Sequence, residues 1–198
     1  MQQKREPRIA LIGLPGTGKS TLSAGLAKHF DLAEFCMGDI LRNPEQYPGV
    51  SEIIGNYDVH NGGLLTNSGV CDIIGPLLKN ADGWVVDGVP RKVGQLIFME
   101  QDYPPDAYVI LECPYTVIWD RITKRSTGSA DGGRKDDALP AFLNRLWQFD
   151  QHTRPVISAL RASPIIKSIT ITQDETTTMQ SVLDTAIAYV DRIRALDV

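Results

Sequence analysis

Cysteine is scarce in this chain, and its spacing forms no recognisable pattern. Cys36, Cys71 and Cys113 are odd in number and far apart, with neither C-x-x-C spacing nor a flanking pair of histidines. That spacing argues against a disulfide framework and against a structural zinc site. We therefore expect reduced thiols in a cytoplasmic protein that binds no zinc.

Long hydrophobic runs and an excess of positive charge are also lacking. The segment MQQKREPRIALIG reaches a glycine after the short run Ile9 to Ile12, which is too short for a signal sequence or a membrane span. The chain has 20 Lys and Arg against 24 Asp and Glu, a net charge of -4. Such a chain has no overall field that attracts nucleic acid or anionic lipid, so we expect neither as a partner.

What is present fits one α/β domain. The 198 residues suffice for a single core, and 42% of them are apolar. Short apolar runs alternate with helix-length stretches, which predicts βαβ units and a parallel sheet with helices on both faces. The predicted strands are Ile9 to Ile12, Trp84 to Val86, Ala107 to Leu111 and Ile165 to Ile171.

The apolar spacing also predicts two long helices. One begins at Asp136 and Asp137 and is expected to kink or break at Pro155, and the other runs from Thr178 to Leu196. Residues 42–63 contain too many prolines and glycines for one long helix, and residues 126–133 are expected to form a glycine-rich loop.

The strongest motif lies directly after the first predicted strand. Residues 13–20, GLPGTGKS, match G-x-x-x-x-G-K-[ST] and are followed by a helical pattern. The glycines let successive backbone N–H groups point inward, and Lys19 reaches the outer phosphates of a nucleoside triphosphate. The predicted ATP-binding residues of this loop are Gly13, Pro15, Gly16, Thr17, Gly18, Lys19, Ser20 and Thr21.

Acidic and basic side chains elsewhere extend this prediction. Asp87 ends the hydrophobic strand WVVD, the form of a carboxylate placed beside Mg²⁺ at the edge of a parallel sheet. Guanidinium groups suit a transferring phosphoryl group because its charge is spread over several oxygens. The candidate arginines are Arg91, Arg121, Arg125, Arg134 and Arg145.

Six blocks along the chain together resemble the adenylate kinase family of nucleoside monophosphate kinases. They are GLPGTGKST, MGDILR, GGLLTNSGV, VVDGVPRKVGQ, DRITKR, and GRKDD with RLWQFDQHTRPVI. The resemblance implies one P-loop kinase domain over residues 1–198, with an acceptor lobe at about 37–66 and a short lid at about 126–136. A lid of this length resembles the short type that lacks a zinc-bearing insertion.

The resemblance also implies roles for residues on the acceptor side. Arg42 and Arg91 would grip the acceptor monophosphate, and Gln95 would read its base. Residues 62–66 would line the base pocket. The complete predicted set for the acceptor is Met37, Gly38, Arg42, Gly62, Leu65, Gly88, Arg91 and Gln95.

Further roles follow from the same resemblance. Asp39 and Asp87 would organise Mg²⁺ through its water molecules, Ser20 could ligate it directly, and Arg121 would stack on the donor base. The predicted catalytic set is Lys19, Arg91, Arg125, Arg134 and Arg145, the last three clamping the transferring phosphoryl group.

Three residues or pairs depart from the family pattern. Met37 stands where adenylate kinases usually have threonine, so a polar contact to an acceptor adenine is lost. Ser20 replaces the usual glycine, and Pro44 and Pro48 fall where the family has acceptor-lobe helix. The two prolines suggest that the acceptor lobe is reshaped.

The sequence thus predicts a monomeric, Mg²⁺-dependent kinase that transfers the γ-phosphoryl group of ATP to a nucleoside monophosphate. AMP is the favoured acceptor, because Gln95 offers both a donor and an acceptor to a base edge. Three alternatives remain open: a kinase for UMP, CMP or a deoxynucleotide, an inactive nucleotide-binding sensor, and a P-loop kinase for a non-nucleotide metabolite.

Overall fold

A parallel sheet organises the chain. The computed structural model describes residues 5–47, 49–54, 66–128 and 139–196, except for the side chains of 125–128. The strands of the sheet are β1 (Arg8–Gly13), β2 (Ala33–Cys36), β3 (Trp84–Asp87), β4 (Ala107–Glu112) and β5 (Ser168–Thr172). All four strand pairings are parallel, in the order β2-β3-β1-β4-β5. The predicted α/β class is confirmed.

The strand order places a crevice at the end of the central strand. After β1 the chain builds β2 and β3 on one side of it, and then crosses to build β4 and β5 on the other. The connections therefore diverge at the carboxyl end of β1, which is where open parallel sheets bind ligands.

Helices cover both faces of the sheet. They are α1 (Lys19–Phe30), α2 (Met37–Arg42), a 3₁₀ helix (Pro44–Gln46), α3 (Val50–Ile54), α4 (Asn67–Lys79), α5 (Val93–Asp102), α6 (Tyr115–Gly128), α7 (Leu139–Gln148), a π-helix (Phe149–Thr153), α8 (Arg154–Ala162) and α9 (Met179–Leu196). Helices α1 and α9 pack on one face around Leu26 and Val190. Helices α4 to α8 contribute to the other core, around Ile74 and Ile110.

The predicted set of strands needs two corrections. Strand β2 was not predicted, because AEFC is short and carries a glutamate. Strand β5 begins at Ser168, not at Ile165, which is 85% exposed. The predicted final helix is confirmed as α9.

The long helical segment changes its winding before Pro155. Helix α7 passes into the π-helix at Phe149, and α8 resumes at Arg154 with Pro155 in its first turn. Proline has no N–H to donate to the carbonyl four residues earlier, so a regular α-helix cannot run through it unchanged. The predicted start at Asp136 and Asp137 lies outside the described residues.

The acceptor-lobe region is only partly described. The 3₁₀ helix begins at Pro44 and α3 follows at Val50, so the chain from 42 to 54 forms short pieces and no single long helix. Pro48, residues 55–65 and most of the predicted lid, 129–136, lie outside the described residues.

No helix in the described ranges combines the length and the apolar content that a membrane span requires.

Candidate nucleotide site

The glycine-rich loop joins β1 to α1 at the crevice. Gly18 has φ of 90° and caps α1, a backbone conformation that favours glycine. Within the loop, the buried Thr17 hydroxyl donates to the Leu14 carbonyl over 2.8 Å. A methyl group at Gly18 would lie 2.7 Å from the Met179 sulfur, so the start of α9 packs closely against the loop.

Lys19 is the buried cation of the site. Its ammonium group donates to the Leu14 carbonyl over 2.9 Å and lies 4.0 Å from Asp87 Oδ1. Burial lowers the pKa of Lys19, Asp87 opposes this effect, and the nearby charges of Arg91 and Arg145 lower the pKa further. Arg91 and Arg145, from two other segments, therefore lie close enough for their charges to act on Lys19.

Asp87 ends β3 at the same edge of the sheet. It is 5% exposed, and its Oδ2 lies 3.5 Å from the Ser20 hydroxyl, which donates to it. Its Oδ1 is buried and has no hydrogen-bond donor within the described part of the chain. Carboxylate and hydroxyl oxygens are suitable ligands for Mg²⁺, so an orphaned carboxylate oxygen beside a hydroxyl fits this ion.

The Cys36 thiol lies between the two acids that the sequence predicts to organise the metal. Its sulfur is 3.9 Å from Asp87 Oδ2 and also hydrogen-bonds with Asp39. Burial and the Asp87 charge raise the pKa of Cys36 to about 11. The thiol is therefore neutral at physiological pH. Across the described ranges, no three His, Cys, Asp or Glu side chains form a group that could hold a metal ion.

Arg91 lies over the turn that follows β3. Gly88 has φ of 92°, and a methyl group there would lie 3.2 Å from both a guanidinium nitrogen of Arg91 and Met37 Cβ. The backbone N–H of Arg91 donates to Gln95 Oε1 over 2.7 Å, and its carbonyl accepts from Thr153 Oγ1 over 3.2 Å. The arginine backbone is thus held from two helical segments.

The predicted acceptor residues on α2 and α5 differ in exposure. Arg42 is exposed and forms an ion pair with Asp39, and its guanidinium group lies 3.3 Å from the position of a methyl group at Gly38. Met37 is 4% exposed and belongs to the core. Gln95 is 2% exposed.

Arg121 connects to the loop through a residue that the sequence did not predict. Its Nη1 donates to Gln173 Oε1 over 2.9 Å, and Gln173 Nε2 donates to the Thr17 carbonyl over 2.9 Å. Gln173 follows β5 and is far from every motif in sequence, so no local pattern could have identified it.

The structure brings together only part of the predicted set. Pro15, Gly16 and Thr21 lie on the loop or in the first turn of α1, and Arg145 lies on α7, half-buried. Gly62, Leu65 and Arg134 lie outside the described residues. Arg125 lies on α6, but its side chain is among those that are not described.

Comparisons with known proteins agree with this geometry. The family model described as adenylate kinase matches residues 11–164. The adenylate kinase of Bifidobacterium longum is 29% identical over 167 residues, covering 80% of this chain and 88% of the relative. Adenylate kinase 1 of Nostoc is 32% identical over 158 residues, covering 76% and 82%. The adenylate kinase of Haloarcula marismortui is 32% identical over 180 residues, covering 76% and 83%.

The matched region runs from β1 to the residues after α8, and it includes the loop, Asp87 and the described arginines of the site. It covers well over half of the chain, and the relatives match over most of their own length. The chain belongs to the adenylate kinase family.

Proposed function

We propose that this protein transfers the γ-phosphoryl group of ATP to AMP, forming two molecules of ADP. The observation that carries the proposal is the buried pair of Lys19 and Asp87, 4.0 Å apart at the carboxyl edge of the sheet, with Arg91 and Arg145 near enough for their charges to act on Lys19. Phosphoryl transfer between nucleotides depends mainly on positioning and on stabilising spread negative charge. A buried cation with two guanidinium groups nearby supplies that charge.

The donor triphosphate binds on the loop. The turn from Gly13 to Gly18 directs backbone N–H groups toward the phosphates, and the amino terminus of α1 adds positive potential. Lys19 then exchanges its contact with the Leu14 carbonyl for the outer phosphates. Its burial strengthens this interaction, because a site that excludes water screens charge weakly.

Asp87 and Ser20 would hold Mg²⁺ at this site. When bound, the ion supplies positive charge at the donor phosphate oxygens. Asp39, which hydrogen-bonds with the same Cys36 thiol, would act on the ion through its water molecules. Asp39 and Arg42 form an ion pair on the same short helix, α2, which supports a role for Asp39 near the metal and for Arg42 at the acceptor phosphate.

The acceptor monophosphate binds between Arg91 and Arg42. Gln95 reads its base: one lone pair of its carbonyl oxygen accepts from the Arg91 N–H, and a carbonyl oxygen has a second lone pair for a base amino group. Its NH₂ group then donates to a ring nitrogen. This donor and acceptor pair suits adenine, whose amino group lies beside an acceptor ring nitrogen, although Met37 offers no polar contact.

A coupled assay of ADP formation from MgATP with AMP, UMP, CMP or dAMP in turn tests the proposal. We expect strong turnover with AMP. Preference for another monophosphate would correct the acceptor, and MgATP binding without turnover on any acceptor would indicate a sensor that has lost catalysis.

Arg91→Ala tests the placement of the acceptor phosphate. It should raise the KM for AMP and lower kcat, so that kcat/KM falls by a factor of about 100 or more. An Arg161→Ala variant, altered at an exposed arginine of α8, serves as the control.

A further inference from the structure

Gln173 connects three elements of the donor side. It is 1% exposed, and its backbone N–H donates to the Glu112 carbonyl at the end of β4 over 2.8 Å. Its side-chain NH₂ group donates to the Thr17 carbonyl of the loop, and its side-chain oxygen accepts from the Arg121 guanidinium group on α6. One buried residue thus contacts β4 through its backbone, and the loop and α6 through its side-chain amide.

The polarity of the amide sets its orientation. A carbonyl such as that of Thr17 requires a donor, and a guanidinium group such as that of Arg121 requires an acceptor. Only one orientation of the Gln173 amide satisfies both. Leaving a buried polar group without a partner is costly, so the amide resists rotation and fixes the position of Arg121 relative to the loop.

We propose that Gln173 is a positioning residue for donor recognition, acting by holding Arg121 at a fixed place beside the phosphate-binding loop. This deepens the proposed function, on which it rests for the identity of the donor. An arginine side chain has many rotamers, and ordering it on binding costs free energy. Gln173 orders Arg121 before the donor arrives. Binding of the nucleoside part of ATP is therefore stronger, because it does not have to order that side chain.

The test measures binding of the Mg²⁺ complex of AMP-PNP, a non-hydrolysable ATP analogue, by calorimetry. Gln173→Met keeps the length of the side chain and removes both polar atoms. We expect it to weaken binding by about tenfold, because a buried hydrogen bond to a charged group is lost. Gln180→Met, a change of the same type at an exposed position on α9, is the matched control and should bind as the unchanged protein does.

A double-mutant cycle with Arg121→Ala tests the route of the effect. If Gln173 acts through Arg121, the variant with both changes binds AMP-PNP no more weakly than Arg121→Ala alone, within about twofold. Mg-tripolyphosphate, which has no nucleoside part, should bind to Gln173→Met as it does to the unchanged protein. Fully additive losses, or an equal loss for tripolyphosphate, would overturn the inference.

A second variant covers a loss of folding in Gln173→Met. Gln173→Glu keeps an oxygen acceptor for Arg121 but has no N–H for the Thr17 carbonyl, so it separates the two contacts. We expect it to bind AMP-PNP more tightly than Arg121→Ala does, because a charge-assisted hydrogen bond to Arg121 replaces the neutral one. A loss as large as that of Arg121→Ala would contradict the inference.

The outcomes for the two proposals are distinguishable. If the unchanged protein binds AMP-PNP and phosphorylates no monophosphate, the proposed function fails. The comparison of AMP-PNP binding between Gln173→Met and the unchanged protein then still tests the inference. If it is active and Gln173→Met binds AMP-PNP normally, the inference alone fails. Absence of AMP-PNP binding by the unchanged protein would overturn both.

Discussion

Burial changes the chemistry of individual residues in this site. Lys19 and Asp87 are both buried, and each needs the other because an isolated charge removed from water is strongly disfavoured. Asp87 keeps one oxygen without a hydrogen-bond donor among the described residues. Retaining such a group costs stability, and the Mg²⁺ site that we propose beside the triphosphate accounts for that cost.

The reactivity of Cys36 should report this environment. In a Cys71→Ser, Cys113→Ser variant, the rate of alkylation by iodoacetamide should rise about tenfold per pH unit between pH 9 and 10, because only the thiolate reacts and most of the thiol is still protonated there. The reason is that burial and the Asp87 charge raise the pKa of Cys36 to about 11. In urea, the alkylation rate of the same variant should level off near pH 9.0, the ordinary pKa of the thiol. If the rate in the folded protein also levels off near pH 9.0, the pKa of Cys36 is not raised.

Single residues also determine where individual helices begin. The start of α4 is set by Thr66, whose Oγ1 accepts from the Gly69 N–H over 3.1 Å. Threonine at this position satisfies one of the backbone donors that a helix leaves unpaired at its amino terminus. Thr66 is also the last residue of the stretch that the sequence predicts to line the acceptor base pocket.

At the scale of elements, we expect Thr66→Ala to lower the free energy of unfolding by about 1 kcal/mol, the usual cost of losing such a cap. Thr66→Ser, which keeps the hydroxyl, should restore most of the loss. Urea unfolding monitored by circular dichroism measures both. Thr123→Ala, at an exposed position within α6, should change stability by less than about 0.5 kcal/mol. Equal stability of the Ala variant and the unchanged protein would show that the cap contributes nothing.

The π-helix shows how an element adjusts to its sequence. Pro155 removes one backbone donor, and the wider turn at Phe149–Thr153 precedes it. The same turn places Thr153, which is 4% exposed, where its hydroxyl reaches the Arg91 carbonyl. The irregular turn therefore helps to position an arginine of the site.

Across the whole molecule, the site depends on the sheet. The loop follows β1, Asp87 ends β3, Cys36 ends β2 and Gln173 follows β5, so four strands deliver residues to one edge. Parallel strands make this possible because their carboxyl ends meet at the same side. Binding of a nucleotide there should stabilise the whole fold, because the ligand contacts residues from several elements.

This coupling can be measured by thermal unfolding. Mg-AMP-PNP at 100 times its Kd should stabilise the protein by about 2.7 kcal/mol, which raises Tm by roughly 5 to 10 °C for a chain of this size. Lys19→Met should lose most of that shift at the same ligand concentration. Lys124→Met, altered at an exposed lysine of α6, should keep it. A full shift in Lys19→Met would place the triphosphate away from Lys19.

The protein is a phosphotransferase of the adenylate kinase family, as the sequence predicts. A monomeric state and a cytoplasmic location stay predictions. Sedimentation at several concentrations tests the first of these: a monomer of 21.8 kDa should sediment independently of concentration.

The sequence by itself determined the loop, the acid at the end of β3 and the α/β class, because these depend on local spacing: glycines at fixed positions, apolar runs of strand length and a helical pattern that follows. Only the tertiary structure decided which side chains meet. The link from Arg121 through Gln173 to Thr17, and the place of Cys36 between two acids, join residues that are remote in sequence. Such contacts arise from strand order and from the packing of helices on the sheet, which no local pattern encodes.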